Sequence, residues 1–358
     1  MSPRDRRGGL DGVLIVAKPS GPTSHDVVGL VRRLSSTKRV GHGGTLDPFA
    51  AGVLPVFLGR ATRLVEYHLS GAKRYRATIC FGETSTTDDI DGDRTPIDGP
   101  MLTRAAVEAA LDAFRGPISQ VPPSYSAVQV EGRRAYLMAR RGETVELAPR
   151  DVVIHEATML EWDGSDPARP IAVVDVECSA GTYIRAIARD LGASLGAGAY
   201  LGALVRTASG GFRLEDAISF ETLREHAADG PAGIERVLRP IDAGLEDLPH
   251  AVVTNDEVRR LGEGLITAPK TPLVLRDAPL VLAVGPDGRV VAVCKAVTGA
   301  LHPHKVLAER PAEAGRPIRR EAAAPGERAG PAAALEAAAS AEPAEPAAEP
   351  AWPAAEPA

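Results

Sequence analysis

Asp47 is the residue of this chain best placed to do chemistry. It lies in Arg39-Val40-Gly41-His42-Gly43-Gly44-Thr45-Leu46-Asp47-Pro48-Phe49-Ala50-Ala51-Gly52, a stretch with four glycines, one histidine and one aspartate. Gly41, Gly43, Gly44 and Gly52 lack a Cβ, so the backbone can bend sharply there and approach a bound molecule closely. Pro48 disfavours the helical region for Asp47 and leaves it extended. A lone carboxylate on such a shaped loop presents one reactive oxygen. The plain alternative is a glycine-rich surface turn with a solvated aspartate, the commoner fate of a lone Asp.

The rest of the chain must position that loop. With 358 residues, 44% of them hydrophobic, it can bury a large core and has room for two domains. The net charge of −6 is unevenly spread. From Pro311 onward eight glutamates face four arginines, so four of the six excess negative charges sit in that tail. Between residues 31 and 76 the sign reverses: Arg32, Arg33, Lys38, Arg39, Arg60, Arg63, Lys73, Arg74 and Arg76 face only Asp47 and Glu66. A basic field around one acid suits a polyanionic partner, and a set of solvated surface cations fits the charge equally well. Cys80, Cys178 and Cys294 are far apart with no CxxC pair, which argues against a disulfide framework or zinc site and fits a reducing compartment. No leader or membrane-spanning stretch is visible, so the expectation is a cytoplasmic protein.

Along the chain, Gly12 to Ala17 reads as a buried strand stopped by Lys18-Pro19-Ser20-Gly21-Pro22. Thr23 or Ser24 then caps a helix with Val27, Val28, Leu30 and Val31 inward. Val53 to Leu58 is apolar, and Gly59-Arg60-Ala61-Thr62 restarts a helix. Tyr75, Ala77, Ile79 and Phe81 alternate with Arg74, Arg76, Thr78 and Cys80, the pattern of a half-buried strand. The acidic loop Thr84–Asp93 invites comparison with a calcium loop, yet Pro100 stands where a bidentate Glu is required, counting from Asp89. An amphipathic helix is expected over 103–114, and another after Gly181-Thr182 with Ile184, Ile187, Ala188, Leu191 and Leu195 inward. Strands mixed with crossing helices and long loops predict an α/β (α+β) fold with a mixed sheet rather than a regular βαβ repeat. His226 to Gly233 reads as a boundary region. Beyond it, a capping box at Thr254-Asn255-Asp256-Glu257 and a hairpin turn at Gly285-Pro286-Asp287-Gly288 predict a small β-rich domain. The resulting division is a flexible 1–9, a main domain over 10–248, a β-rich domain over 249–310, and an Ala/Pro/Glu-rich tail over 311–358 expected to be disordered.

Several segments together resemble the bacterial tRNA pseudouridine synthases that modify uridine 55 in the T loop. They are Lys18-Pro19-Ser20-Gly21 with Thr23-Ser24; Gly41-His42-Gly43-Gly44-Thr45-Leu46-Asp47-Pro48 with Gly52-Val53-Leu54-Pro55; and Lys73-Arg74-Tyr75. Pro123 to Ala127, Gly132, Tyr136 and Ala139-Arg140 follow, then Cys178-Ser179-Ala180-Gly181-Thr182-Tyr183-Ile184-Arg185, and Leu204 with Arg206-Thr207. The resemblance implies a pseudouridine-synthase fold, largely antiparallel, and a small RNA-binding β domain at the C-terminus. It implies tRNA as partner, a single chain without obligatory protein partner, a monomer, and no cofactor or metal. Asp47 resembles the catalytic carboxylate. Arg185 resembles its paired arginine, Tyr75 the tyrosine stacked on the target uracil, Tyr183 and Leu204 the lining of the base pocket, and His42 the histidine inserted into the T loop. Asp89 matches an acidic position of the active-site network. Gln129 departs from the pattern, since many members carry lysine there.

Two other classes compete. A phosphate cradle built on the glycines lacks GxxxxGK[ST] and would set Asp47 where phosphate should sit. A non-catalytic RNA-binding or RNA-folding protein would use the 31–76 cations and leave Asp47 idle; action on another RNA, or within a guide-RNA particle, is a related alternative.

Overall fold

A computed structural model of the chain describes residues 9–308, apart from residues 127, 131, 140, 142, 144–146 and 271–279. The tail over 311–358 and all but the last residue of the 1–9 segment lie outside the described residues. The chain opens with β1 (Gly12–Lys18) and turns into α1 (Ser24–Leu34). Thr23 caps that helix: its hydroxyl accepts from the Asp26 N–H, and the Asp26 carboxylate accepts from the Thr23 N–H, a reciprocal cap contributing about 1 kcal/mol. Next come β2 (Val40–His42) and β3 (Ala51–Leu58). The helix expected at Gly59 is a 3-10 segment, Gly59–Leu64, followed by α2 (Val65–Leu69). β4 (Lys73–Phe81), the hairpin β5 (Glu83–Ser85) and β6 (Arg94–Pro96), α3 (Arg104–Asp112) and β7 (Gly116–Gln120) follow. A small hairpin, β8 (Gln129–Val130) with β9 (Arg133–Arg134), leads to α4 (Ala135–Ala139), then β10 (Arg150–Asp163) and β11 (Ile171–Cys178). After α5 (Ile184–Ser194) come β12 (Ala199–Ser209), β13 (Phe212–Arg213), α6 (Phe220–Ala227) and α7 (Pro231–Glu235).

Nine of these strands form one sheet in the order β1-β3-β12-β4-β11-β10-β7, with β2 on β3 and β13 on β12, while β5–β6 and β8–β9 remain separate hairpins. Every pairing is antiparallel except β3 with β12. The mixed, largely antiparallel sheet flanked by helices is thus present. β1 and β3 read as unbroken apolar runs because both their faces are covered. Leu14, Val16, Leu54, Val56 and Leu58 pack toward α1, α6 and α7, while Val13, Ile15, Val53 and Phe57 pack with Phe212 and Ala243. β4 alternates because one face alone is covered: Tyr75, Ala77, Ile79 and Phe81 meet Val107 and Leu111 of α3 and Ile187 and Leu191 of α5. Residues 226–233, which sequence suggested as a boundary, are a corner inside the fold. Gly230 turns there with φ +67°, Pro231 begins α7, and Leu223 and Ile234 are fully buried on β1 and β3. A turn of Gly and Pro marks a change of direction equally well between packed helices and between domains.

From residue 250 a second sheet forms, β14 (His250–Val252), β15 (Val281–Val284), β16 (Val290–Val297) and β17 (Ala300–Val306), with α8 (Asn255–Gly262) capped by the expected Thr254–Glu257 box. Its Leu282, Val290 and Val293 pack with Leu64 and Leu245.

Candidate active site

The parallel pairing of β3 with β12 decides where the Asp47 loop sits. It sets Ala51 and Gly52 beside Val205 and Arg206, and Arg206 in turn faces Tyr75 on β4. Gly52 has φ +117°, and a Cβ there would lie 2.3 Å from the Arg206 carbonyl oxygen, so no other residue fits. Residues 43–50 therefore cross the centre of the sheet. Two buried cations hold them in shape. Arg206 donates from Nε to the Val53 carbonyl at 2.9 Å, from Nη2 to Gly44 at 3.1 Å and from Nη1 to Thr45 at 3.4 Å. Lys18 donates from Nζ to the carbonyls of Ala50 at 2.6 Å, Pro19 at 2.9 Å and Pro48 at 3.2 Å. Both side chains are about 1% exposed, which marks them as structural donors rather than surface charges. Burial lowers Lys18 to about 8, against the opposing pull of Asp47. Ser24, at the start of α1, adds a pair of bonds to Leu46: its hydroxyl donates to the carbonyl at 3.0 Å and accepts from the N–H at 2.8 Å. The sequence shows Lys18 and Arg206 within family-like segments but attaches no role to them. The available signal was a cation embedded in an otherwise apolar strand.

The chemistry collects where α5 begins. Arg185, in its first turn, is 4% exposed. Its Nε stands 3.0 Å from Asp47 Oδ2, a charge contact rather than an aligned hydrogen bond. Its Nη1 stands 3.2 Å from Asp89 Oδ2 and donates to the Thr87 carbonyl at 3.0 Å, and its Nη2 donates to the Tyr125 carbonyl at 2.9 Å. A cation at a helix N-terminus opposes the helix dipole; two carboxylates on one guanidinium offset that cost. Burial raises the Asp47 carboxyl above its ordinary range, Arg185 opposes that rise, and the Asp89 charge adds to it. The Asp47 side chain still has 35% of its surface accessible, so a bound molecule can reach it.

The other expected site residues fall around this cluster. Tyr75 (9% exposed) and Leu204 share an apolar cluster with Leu46, Ala50 and Ile184, directly beside the loop. The Arg206 guanidinium lies beside the Tyr75 hydroxyl, which burial pushes up and so keeps protonated. Tyr183 caps α5 two residues before Arg185. Its backbone is clamped by the Gln120 side chain, with N–H to Oε1 at 2.8 Å and carbonyl to Nε2 at 3.1 Å, and the Arg150 guanidinium lies over its ring at 5.8 Å. His42 ends β2; its Nδ1 is buried without a partner, and burial, chiefly, lowers its basicity, so the ring is neutral. Asp89 is buried and takes a bond from the Thr87 hydroxyl and one from the Asp91 N–H at 3.1 Å, so that acid serves the Arg185 cluster. Gln129 is exposed on the β8 hairpin.

The basic run over 31–76 divides. Arg60 binds Asp11 at 2.7 Å, Arg63 donates to the Val306 carbonyl, Lys73 is buried on the Leu69 and Gly71 carbonyls, and Arg74 holds Asp175 at 2.6 Å with Glu156 and Glu177. About half of the expected field is therefore spent inside the fold, because sequence proximity says nothing of which face a cation takes.

The N-terminal domain description of the TruB family of pseudouridylate synthases matches residues 32–184, and the C-terminal domain description of tRNA pseudouridylate synthase B matches residues 185–246. The tRNA pseudouridine synthase B of Bradyrhizobium diazoefficiens is 41% identical over 310 residues, spanning 85% of this chain and 87% of that protein. That of Thermobifida fusca is 46% identical over 305 residues, spanning 83% and 99%. Among solved structures, a Cbf5–Nop10–Gar1 complex matches with TM-score 0.64 and 27% identity, over 84% of this chain and 85% of that one. An H/ACA particle bound to a substrate RNA containing 2′-deoxyuridine matches with TM-score 0.63 and 26% identity, over 84% and 86%. The fold and site define an enzyme that isomerises uridine in RNA. The chain belongs to the TruB family of pseudouridylate synthases. No described helix is long and apolar enough to cross a membrane.

Proposed function

We propose that this enzyme converts uridine 55 in the T loop of tRNA to pseudouridine, with Asp47 acting at the ribose. The observation that carries this reading is the partly accessible Asp47 carboxylate held 3.0 Å from the buried Arg185. The names of the relatives support tRNA as substrate. The reaction breaks N1–C1′, turns the uracil and rejoins it through C5, with the C5 proton lost and N1 protonated; nothing is oxidised or reduced. An ionised carboxylate serves it by attacking C1′ to form a glycosyl ester, or by taking the C2′ proton on the way to a glycal. Arg185 keeps Asp47 ionised against the pull of burial. Exposing a base stacked within a folded loop costs a few kcal/mol; a neutral His42 ring filling the gap offsets it. Tyr75 stacks on the uracil, while Tyr183 and Leu204 wall the pocket. These parts all come from one chain, so no second protein is needed to complete the site; the enzyme proposed is a cytoplasmic one that acts as a monomer without a guide RNA. The β-rich 249–310 segment then serves as an accessory RNA-binding domain. The test is to map pseudouridine in total RNA from cells with and without the gene. Loss confined to the T-loop position is expected. Persistence there, or loss at other RNAs instead, would assign the enzyme a different target.

A further inference from the structure

Arg185 and Arg189 stand one turn apart on α5, and both reach into the same two segments of chain. Arg185 holds Asp89, the Thr87 carbonyl and the Tyr125 carbonyl, as described. Arg189 Nη1 meets Asp88 Oδ2 at 3.0 Å, its Nη2 donates to the Val121 carbonyl at 2.9 Å, and its Nε holds Asp190 Oδ1 at 2.8 Å. Adjacent acids of the 85–93 loop are thus taken by adjacent arginines of one helix face, and the 121–125 segment is tied by both. Asp88 also has φ +61°, a conformation that costs a non-glycine residue energy and must be held in place by its surroundings. It is held on both sides: its carboxylate by Arg189, and its carbonyl by the Leu201 N–H at 3.0 Å.

We infer that Arg189 is a positioning residue for the reaction: through Asp88 and Val121 it fixes the two segments that seat Arg185, and so fixes the counter-ion of Asp47. The inference rests on reading Asp47 as the reacting carboxylate. Of the four partners of Arg185, three (Thr87, Asp89 and Tyr125) belong to segments that Arg189 ties. The charges facing Asp47 are Arg185, Asp89 and Lys18. Lys18 is anchored separately on the loop's own carbonyls. Releasing the latch therefore loosens Arg185 in particular, and the Asp47 carboxylate loses its fixed cation. Less of Asp47 is then ionised at a given pH, so the acid side of the rate profile moves to higher pH.

Arg189→Gln and Asp88→Asn are to be compared with wild type on an unmodified tRNA transcript, from about pH 5 to about pH 8. Each is expected to lower kcat about tenfold with little change in KM, and to move the acid limb upward. The double variant should be no worse than either single one, because both break one latch. Arg189→Lys keeps a cation on Asp88 and should recover most of the rate. Arg104→Gln, which breaks the exposed Arg104–Glu108 pair on α3, should change nothing. Thermal melting of each variant accompanies the assay. A wild-type rate and acid limb in Arg189→Gln overturns the inference. So does a rate loss that follows melting while the pH profile stays fixed, or additivity in the double variant. An inactive Asp47→Asn beside a normal Arg189→Gln would sink the latch alone, whereas an active Asp47→Asn would sink the reading beneath it.

Discussion

Two pairs of basic side chains serve the Asp47 loop, one by direct contact and one through the counter-ion of Asp47, and they are used in different ways. Lys18 and Arg206 give their protons to backbone carbonyls, of Pro19, Pro48 and Ala50 in one case and Gly44, Thr45 and Val53 in the other. Arg185 and Arg189 also reach backbone carbonyls, but each stands in addition against two carboxylates, Asp47 and Asp89 for one, Asp88 and Asp190 for the other. Carbonyl dipoles answer a buried charge incompletely, and Lys18 shows the deficit directly: burial lowers it to about 8. A carboxylate sets a full opposite charge against it, and is itself adjusted, as Asp47 is by Arg185. The first pair holds shape; the second sets charge.

The largest effect should come from the charge pair. Arg185→Met leaves the partly accessible Asp47 and the buried Asp89 without their shared cation, so the Asp47 carboxylate is harder to keep ionised. The rate is expected to fall on the order of a thousandfold, measured as pseudouridine formed in a single turnover, with circular dichroism showing that the fold remains. A loss under about tenfold would place Arg185 with the shape-holding cations.

The shape pair should fail differently. Arg206→Met strands three carbonyls, costing roughly 3 kcal/mol, so thermal stability and rate are expected to fall together. A stable but inactive variant would mean that Arg206 acts on the chemistry, through Tyr75. The effect that leaves the rate least changed at neutral pH is the pH signature of Lys18. In the folded chain it is neutral above about 8, while the unfolded chain holds that proton up to the ordinary lysine value of 10.5. Between those values the unfolded state binds more protons, so stability should rise with pH for wild type relative to Lys18→Met, by up to about 1.4 kcal/mol per unit. Denaturant melts at several pH values check this, and a flat difference would show Lys18 to be solvated.

Much of this arrangement was legible in residue order. The unbroken apolar β1 and β3, the alternation of β4, the Thr23 and Thr254 caps and the glycine loop around Asp47 are local patterns with local causes. What was not legible depends on pairing between distant strands. Gly52 meets Arg206 across 154 positions because β3 and β12 run parallel, and no spacing announces that register. The same cause hid the roles of Lys18 and Arg206, since a cation in a strand usually points to solvent. It also misled the charge count over 31–76, where Lys73 and Arg74 turn to carbonyls and carboxylates of the protein itself. Arg189 was silent because it reads as one more polar position on an amphipathic helix.

The central claim is that Asp47 is the reacting group, and the most direct test is the purified Asp47→Asn enzyme on an unmodified tRNA transcript. The substitution removes the charge and keeps the shape, so the transcript should still bind with near wild-type affinity while no pseudouridine forms at the T-loop uridine. Pseudouridine formed by that variant at a rate near wild type would contradict the account.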